Sequence, residues 1–143
     1  MNQVLSEGRI YTALRLVLRI VGTSTLLALI FVGAPEAWMV AIHTRLEMGA
    51  LPDVPVVGYL ARSTSAFYAM WGGLLWVISF DLDRHRVVIR YLAWTLGLFG
   101  IVLLGVDWTE GMPWSWTLSE GPLVVATGGV VWWLENQLPD HAK

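Results

Sequence analysis

Four long apolar runs organise this 143-residue chain, over residues 14–33, 57–80, 87–106 and 121–138. Each is close to the ~20 residues that a helix needs to cross a hydrocarbon core of ~30 Å. Polar positions gather between the runs, and the segments left over make only short loops. The pattern predicts an all-α fold: a bundle of four transmembrane helices forming a single integral membrane domain over residues 1–143. Four helices that are apolar all round need a polar shell if they are to be soluble. The sequence offers none.

The loop between the first two runs has a pattern of its own. Pro35-Glu36-Ala37 opens it, and Gly49 and Pro52 close it. Trp38, Met39, Ile42 and Leu46 recur at helical spacing, with Glu36, His43, Arg45 and Glu47 between them. This predicts a short helix lying in the membrane interface. Leu51-Pro52-Asp53-Val54-Pro55 then reads as a stiff linker from which the next helix starts at Pro55. Gly121-Pro122 reads as the opening of the fourth span. Trp38, Trp108, Trp114 and Trp116 cluster on one expected side of the membrane, and Trp132 and Trp133 lie toward the other. Indoles favour the headgroup zone, so these residues read as interfacial anchors.

Composition narrows the picture. Hydrophobic residues make up 56% of the chain and charged residues only 14%, against about 25% charged in a soluble domain. With no cysteine, disulfides, thiolate metal sites and thiol redox chemistry are excluded. A net charge of −2 with no basic run points away from nucleic acid. Arg9, Arg84, Arg86, Arg90 and Lys143 fall on one side of the four-span scheme. Asp107 and Glu110 fall on the other, while Arg45 and Arg62 run against the trend. The bias places both termini of a multi-pass protein in the cytoplasm. Arg9, Arg15 and Arg19 before an apolar run, with Val32-Gly33-Ala34 after it, imitate a signal peptide. The long run and Pro35 favour a retained first span.

The second span carries a stripe of small residues, Ala61, Ser65, Ala69 and Gly73. Spacing of this kind lets helix backbones approach closely, so the stripe is the candidate helix-packing face and the candidate contact with a homo-oligomeric or membrane-protein partner. Gly72, Gly97, Gly100, Gly128 and Gly129 fit close contacts too. Arg62 lies within about 60° of the stripe on a helical wheel. An arginine cannot shed its charge, and at the membrane centre it costs roughly 2.5–3.5 kcal/mol. The acids at matching depth are Asp107, Glu110 and Glu120. An Arg62–Asp107 or Arg62–Glu120 ion pair with Tyr68 nearby is therefore expected, either as packing glue or as a substrate or proton site.

A second basic set, Arg15 and Arg19, shares one face of the first span. Snorkelling to anionic headgroups is the expected role, with pairing to Glu135 as the alternative. Asp81-Leu82-Asp83 resembles a divalent-metal motif, yet its place in a short loop favours helix capping. His43, His85 and His141 sit in different loops and give no ligand spacing or haem axis. No nucleophile elbow or phosphate-binding glycine loop occurs. No metal or cofactor is expected.

With the spans and the Ala61–Gly73 stripe in view, the chain resembles small four-helix bacterial inner-membrane proteins of uncharacterised function. The resemblance is architectural and carries over no catalytic residues. It implies a non-enzymatic small subunit, scaffold or accessory factor, bathed in membrane lipid. The alternatives are a small oligomeric transporter or channel, and a membrane enzyme acting on a lipid or quinone at the outer face.

Overall fold

The computed structural model describes residues 2–139, so the basic Lys143 and His141 lie outside the described residues. Six helices occur among them: α1 (Asn2–Leu26), α2 (Leu29–Gly33), α3 (Glu36–Arg45), α4 (Pro55–Phe80), α5 (Arg86–Glu110) and α6 (Trp114–Glu135). The fold is all-α, and no strand is present among the described residues.

Local chemistry explains the boundaries. The first apolar run breaks at Leu27–Ala28, where Ser24 Oγ donates back to Ile20 O and Thr25 Oγ1 to Val21 O and Gly22 O. Hydroxyls bonded to the preceding turn compete with the backbone ladder and bend a helix. The ladder there tightens, with Ala28 N–H donating to Thr25 O at 3.1 Å. The short helix expected between the first two runs forms as α3, and α4 starts at Pro55 as its fixed φ favours.

The fourth element departs from expectation. Helix α6 begins at Trp114, and Pro122 lies inside it rather than at its start. Its true start is Pro113, whose carbonyl accepts from the N–H groups of Trp116 and Thr117. Helix α5 ends at Gly111, with φ +68°. There both Gly111 N–H and Met112 N–H donate to Asp107 O, and glycine adopts this left-handed conformation without a Cβ clash. The α5–α6 turn is therefore only three residues long.

Two helical stretches among the described residues, Glu7–Gly33 and Arg86–Glu110, are long and apolar enough to cross a membrane. The expectation was four. Helices α4 and α6 have the length, but glycine, serine, threonine and tryptophan dilute their apolar character. Nor is the packing that of an even bundle. Helices α5 and α6 pack most closely, α1 and α2 pack on α4, and α1 touches α6 only lightly.

Glycines set the two close crossings. A Cβ on Gly72 would lie 2.5 Å from Gly22 O on α1. One on Gly100 would lie 2.7 Å from Gly121 O, and one on Gly128 would lie 2.7 Å from Ala93 O. The predicted stripe is thus used inside the chain, shifted by one residue. Ala69 is buried with Gly72, Ala61 and Ser65 are half-buried, and Gly73 and Gly129 face open space.

The core sits at one end of the molecule. Leu14 and Leu18 of α1, Leu75 and Ile78 of α4, Leu82 of the loop that follows α4, Ile89 and Leu92 of α5, and Val131 and Leu134 of α6 converge there. Elsewhere large apolar side chains point outward, among them Ile20, Met70, Phe80, Val87, Leu98 and Leu123. The accessible surface is 9793 Å². A compact soluble fold of this 15.9 kDa mass would expose about 7,400 Å².

Candidate functional site

Polar side chains gather at the two ends, which we call the basic end and the tryptophan end. At the basic end Glu135 is fully buried and sits between two arginines of α5. Arg90 grips it with both arms, Nε to Oε2 at 3.1 Å and Nη2 to Oε1 at 2.8 Å. Arg86 Nε donates to Oε1 at 3.1 Å. The remaining Arg86 nitrogens donate to Pro139 O at 2.8 Å and Leu138 O at 3.1 Å, so the same residue caps the carboxyl end of α6. Two cations in the first turns of α5 oppose the positive end of its dipole, and the Glu135 carboxylate offsets both.

Arg15 and Arg19 do not bind Glu135. Arg15 Nε donates to Ser79 O and Arg19 Nε to Ser79 Oγ, each at 3.1 Å. Ser79 is itself fully buried. The Arg19 guanidinium also stacks over Trp76 and Phe80, 4.9 and 5.4 Å from their centroids. Snorkelling is replaced by helix-to-helix bonding of α1 to α4, since Ser79 presents two oxygens at the right depth. In the α4–α5 loop Asp81 Oδ1 accepts from Arg84 N–H and Asp83 Oδ1 from Tyr11 Oη of α1, so the two acids hold the loop rather than cap α5. No group of three or more metal-ligating side chains occurs among the described residues.

At the tryptophan end the expected cluster is only partly assembled. Arg62 makes no ion pair with Asp107 or Glu120. Its Nη1 donates to Val32 O at 2.6 Å and its Nη2 to Ala34 O at 3.0 Å. The carboxyl end of the short helix α2 leaves carbonyls unpaired, and the arginine on the neighbouring α4 satisfies them. Sequence reasoning missed this because α2 was read as the tail of a continuous span. Glu120 Oε2 instead accepts from Trp116 Nε1 at 2.6 Å, one turn away on its own helix. Glu110 is exposed at the end of α5. Tyr68 and Asp107 do lie within electrostatic reach of Glu120.

Asp107 is the outlier. It is 5% exposed, and its Oδ2 has no hydrogen-bond partner among the described residues. With Trp108, Gly111, Met112, Trp114 and Thr117 it lines a cavity of about 230 Å³ in the α5–α6 turn. Trp108 and Trp114 meet edge to face at its rim, 5.9 Å between centroids. A larger apolar groove of about 480 Å³ lies between α2 and α3, lined by residues such as Leu27, Phe31, Trp38 and Ile42.

No protein-family model, curated protein or solved structure matches the chain.

Proposed function

We propose that the chain is a multi-pass membrane protein of four spans, α1–α2, α4, α5 and α6, acting as a non-enzymatic small subunit or scaffold. The outward-facing apolar surface of all four long helices carries this reading. Lipid or a partner helix is the solvent that such surfaces require, since water would charge about 25 cal/mol for each exposed Å². The polar groups at the basic end support a structural role, because they bond helix to helix and leave no reactive set in a cleft. The transporter and enzyme alternatives relied on Arg62 as an ion or anion site, and Arg62 is engaged on α2. Partner contact now falls on the uncovered side of α4, where Phe67, Met70, Leu74 and Val77 recur at helical spacing. The loop between α4 and α5 holds Arg84, and the first turns of α5 add Arg86 and Arg90, so we place this end with both termini in the cytoplasm of a bacterial inner membrane.

The cysteine-free chain suits a direct test. Single cysteines at Thr44→Cys, His85→Cys and Ser115→Cys are labelled in intact cells with a membrane-impermeant maleimide. Four spans with an inside N-terminus label positions 44 and 115 but not 85. A chain crossing only through α1–α2 and α5 would label 44 and 85 but not 115, and that pattern overturns the four-span reading. A scaffold role predicts that one partner co-purifies in mild detergent and is lost with Met70→Lys. A solitary monomer with turnover overturns that role.

A further inference from the structure

The cavity in the α5–α6 turn is not explained by helix packing. It lies at the tryptophan end, holds a buried carboxylate, and has no protein cation in it. A buried carboxylate oxygen with no donor is rare in folded proteins, because its lost hydration goes uncompensated. We propose that this cavity is a binding site for a primary alkylammonium group, with Asp107 as its counter-ion.

Four features converge on that chemistry. Asp107 lines the cavity, and its Oδ2 is a buried acceptor with no hydrogen-bond donor among the described residues. Thr117, 7% exposed, lines the cavity as well. Its hydroxyl points its donor at Pro113 O, 3.4 Å away, so its lone pairs remain as acceptors. Trp108 and Trp114 supply aromatic faces at the rim, which attract cations and tolerate an organic substituent. The carboxyl end of α5 adds the negative pole of its dipole.

The same features exclude other ligands. A divalent metal needs six or more oxygen ligands or several charged ones, and a single carboxylate with one hydroxyl does not supply them. The amino end of α6 also lies beside the cavity, which offsets part of the carboxylate charge and suits a monocation. A volume of about 230 Å³ is several times the roughly 30 Å³ share of one water, so an aminoethyl group fits. A quaternary ammonium has no N–H to give Oδ2 and binds only through the rim.

The ammonium has two natural sources at this depth: the headgroup of an aminophospholipid and a free small amine. The site is contained within the α5–α6 hairpin, so it does not depend on the number of spans. Failure of the labelling pattern above leaves it standing, and its own failure leaves the four-span reading standing.

The test uses the full chain labelled with 5-fluorotryptophan, in nanodiscs of phosphatidylglycerol alone or mixed with phosphatidylethanolamine. The Trp108 and Trp114 fluorine signals are followed by NMR while methylammonium is added. In phosphatidylglycerol discs these two signals shift saturably and Trp132, at the far end, does not. Tetramethylammonium binds at least tenfold more weakly. Asp107→Asn weakens methylammonium at least tenfold with the Trp132 signal unchanged. Thr117→Val weakens it severalfold, and stands in if Asp107→Asn does not fold. Phosphatidylethanolamine that raises the methylammonium needed for half-shift identifies the lipid as the source. Identical curves in both discs identify a free amine. No saturable shift at Trp108 and Trp114, or a shift that Asp107→Asn and Thr117→Val leave intact, overturns the proposal.

Discussion

The basic end and the tryptophan end handle buried charge in opposite ways. At the basic end one carboxylate, Glu135, meets two arginines, and four helices close around it with leucine, isoleucine and valine. At the tryptophan end Asp107 is buried almost as deeply but has an unpaired oxygen beside a cavity. The arginine of α4 there, Arg62, is turned to the carbonyls of Val32 and Ala34. The first arrangement is closed and spends its charge on holding helices together. The second leaves an acceptor in reserve, as a binding site does. Burial alone therefore does not mark a functional carboxylate in this fold; the supply of donors around it does.

The largest expected effect is at the closed end. Glu135→Ala leaves Arg86 and Arg90 without their shared anion and uncaps the contact of α5 with α6. Breaking a fully buried pair costs about 3–5 kcal/mol, and less where a partner is half exposed as Arg90 is, so thermal unfolding in a fixed detergent shifts downward. An unchanged midpoint would show that the end is not closed by this pair. Next comes the crossing beside it. Gly72→Val drives a side chain against Gly22 O and Thr25 on α1, and overpacking of this kind costs at least about 1–3 kcal/mol. Gly73→Ala, one residue on in open space, stays neutral or gains up to about 1 kcal/mol. Equal effects at 72 and 73 would refute the shifted stripe.

Smaller effects belong to the tryptophan end. Arg62→Leu removes two charge-assisted bonds from α2, each worth about 1.5–3 kcal/mol where fully buried and less here. Amide exchange speeds up in residues 29–34 while the basic end keeps its protection. Asp107→Asn has the smallest effect on stability, within about 1 kcal/mol and on the stabilising side, because it replaces an unpaired buried charge with a neutral amide. A large loss of stability there would give Asp107 the structural role assigned to Glu135 and erase the contrast between the ends.

Much of the architecture was legible in the chain. The apolar runs gave the long helices, the Trp38–Leu46 spacing gave α3, and Pro55 gave the start of α4. The fourth element was misread at its start because Thr117, Ser119 and Glu120 look like loop residues. Yet Thr117, Gly121 and Gly128 fall on one helical face with Glu135, and that spacing was a usable signal. The polar partners were less legible. Arg62 was matched to acids by depth alone, and Arg15 and Arg19 to Glu135 by side of the membrane alone. Depth follows from position along a helix, but pairing also depends on the rotation of each helix about its axis.

The sequence by itself determined which segments become the long helices and that their faces are apolar, since these follow from local period and composition. Only the tertiary structure decided that Arg86 and Arg90 take Glu135, that Ser79 takes Arg15 and Arg19, and that Asp107 is left with an open acceptor. Those choices join residues 45 to 64 positions apart. They are set by glycine contacts that fix how α1 meets α4 and α5 meets α6. A single helix carries no record of the angle at which its neighbour will arrive.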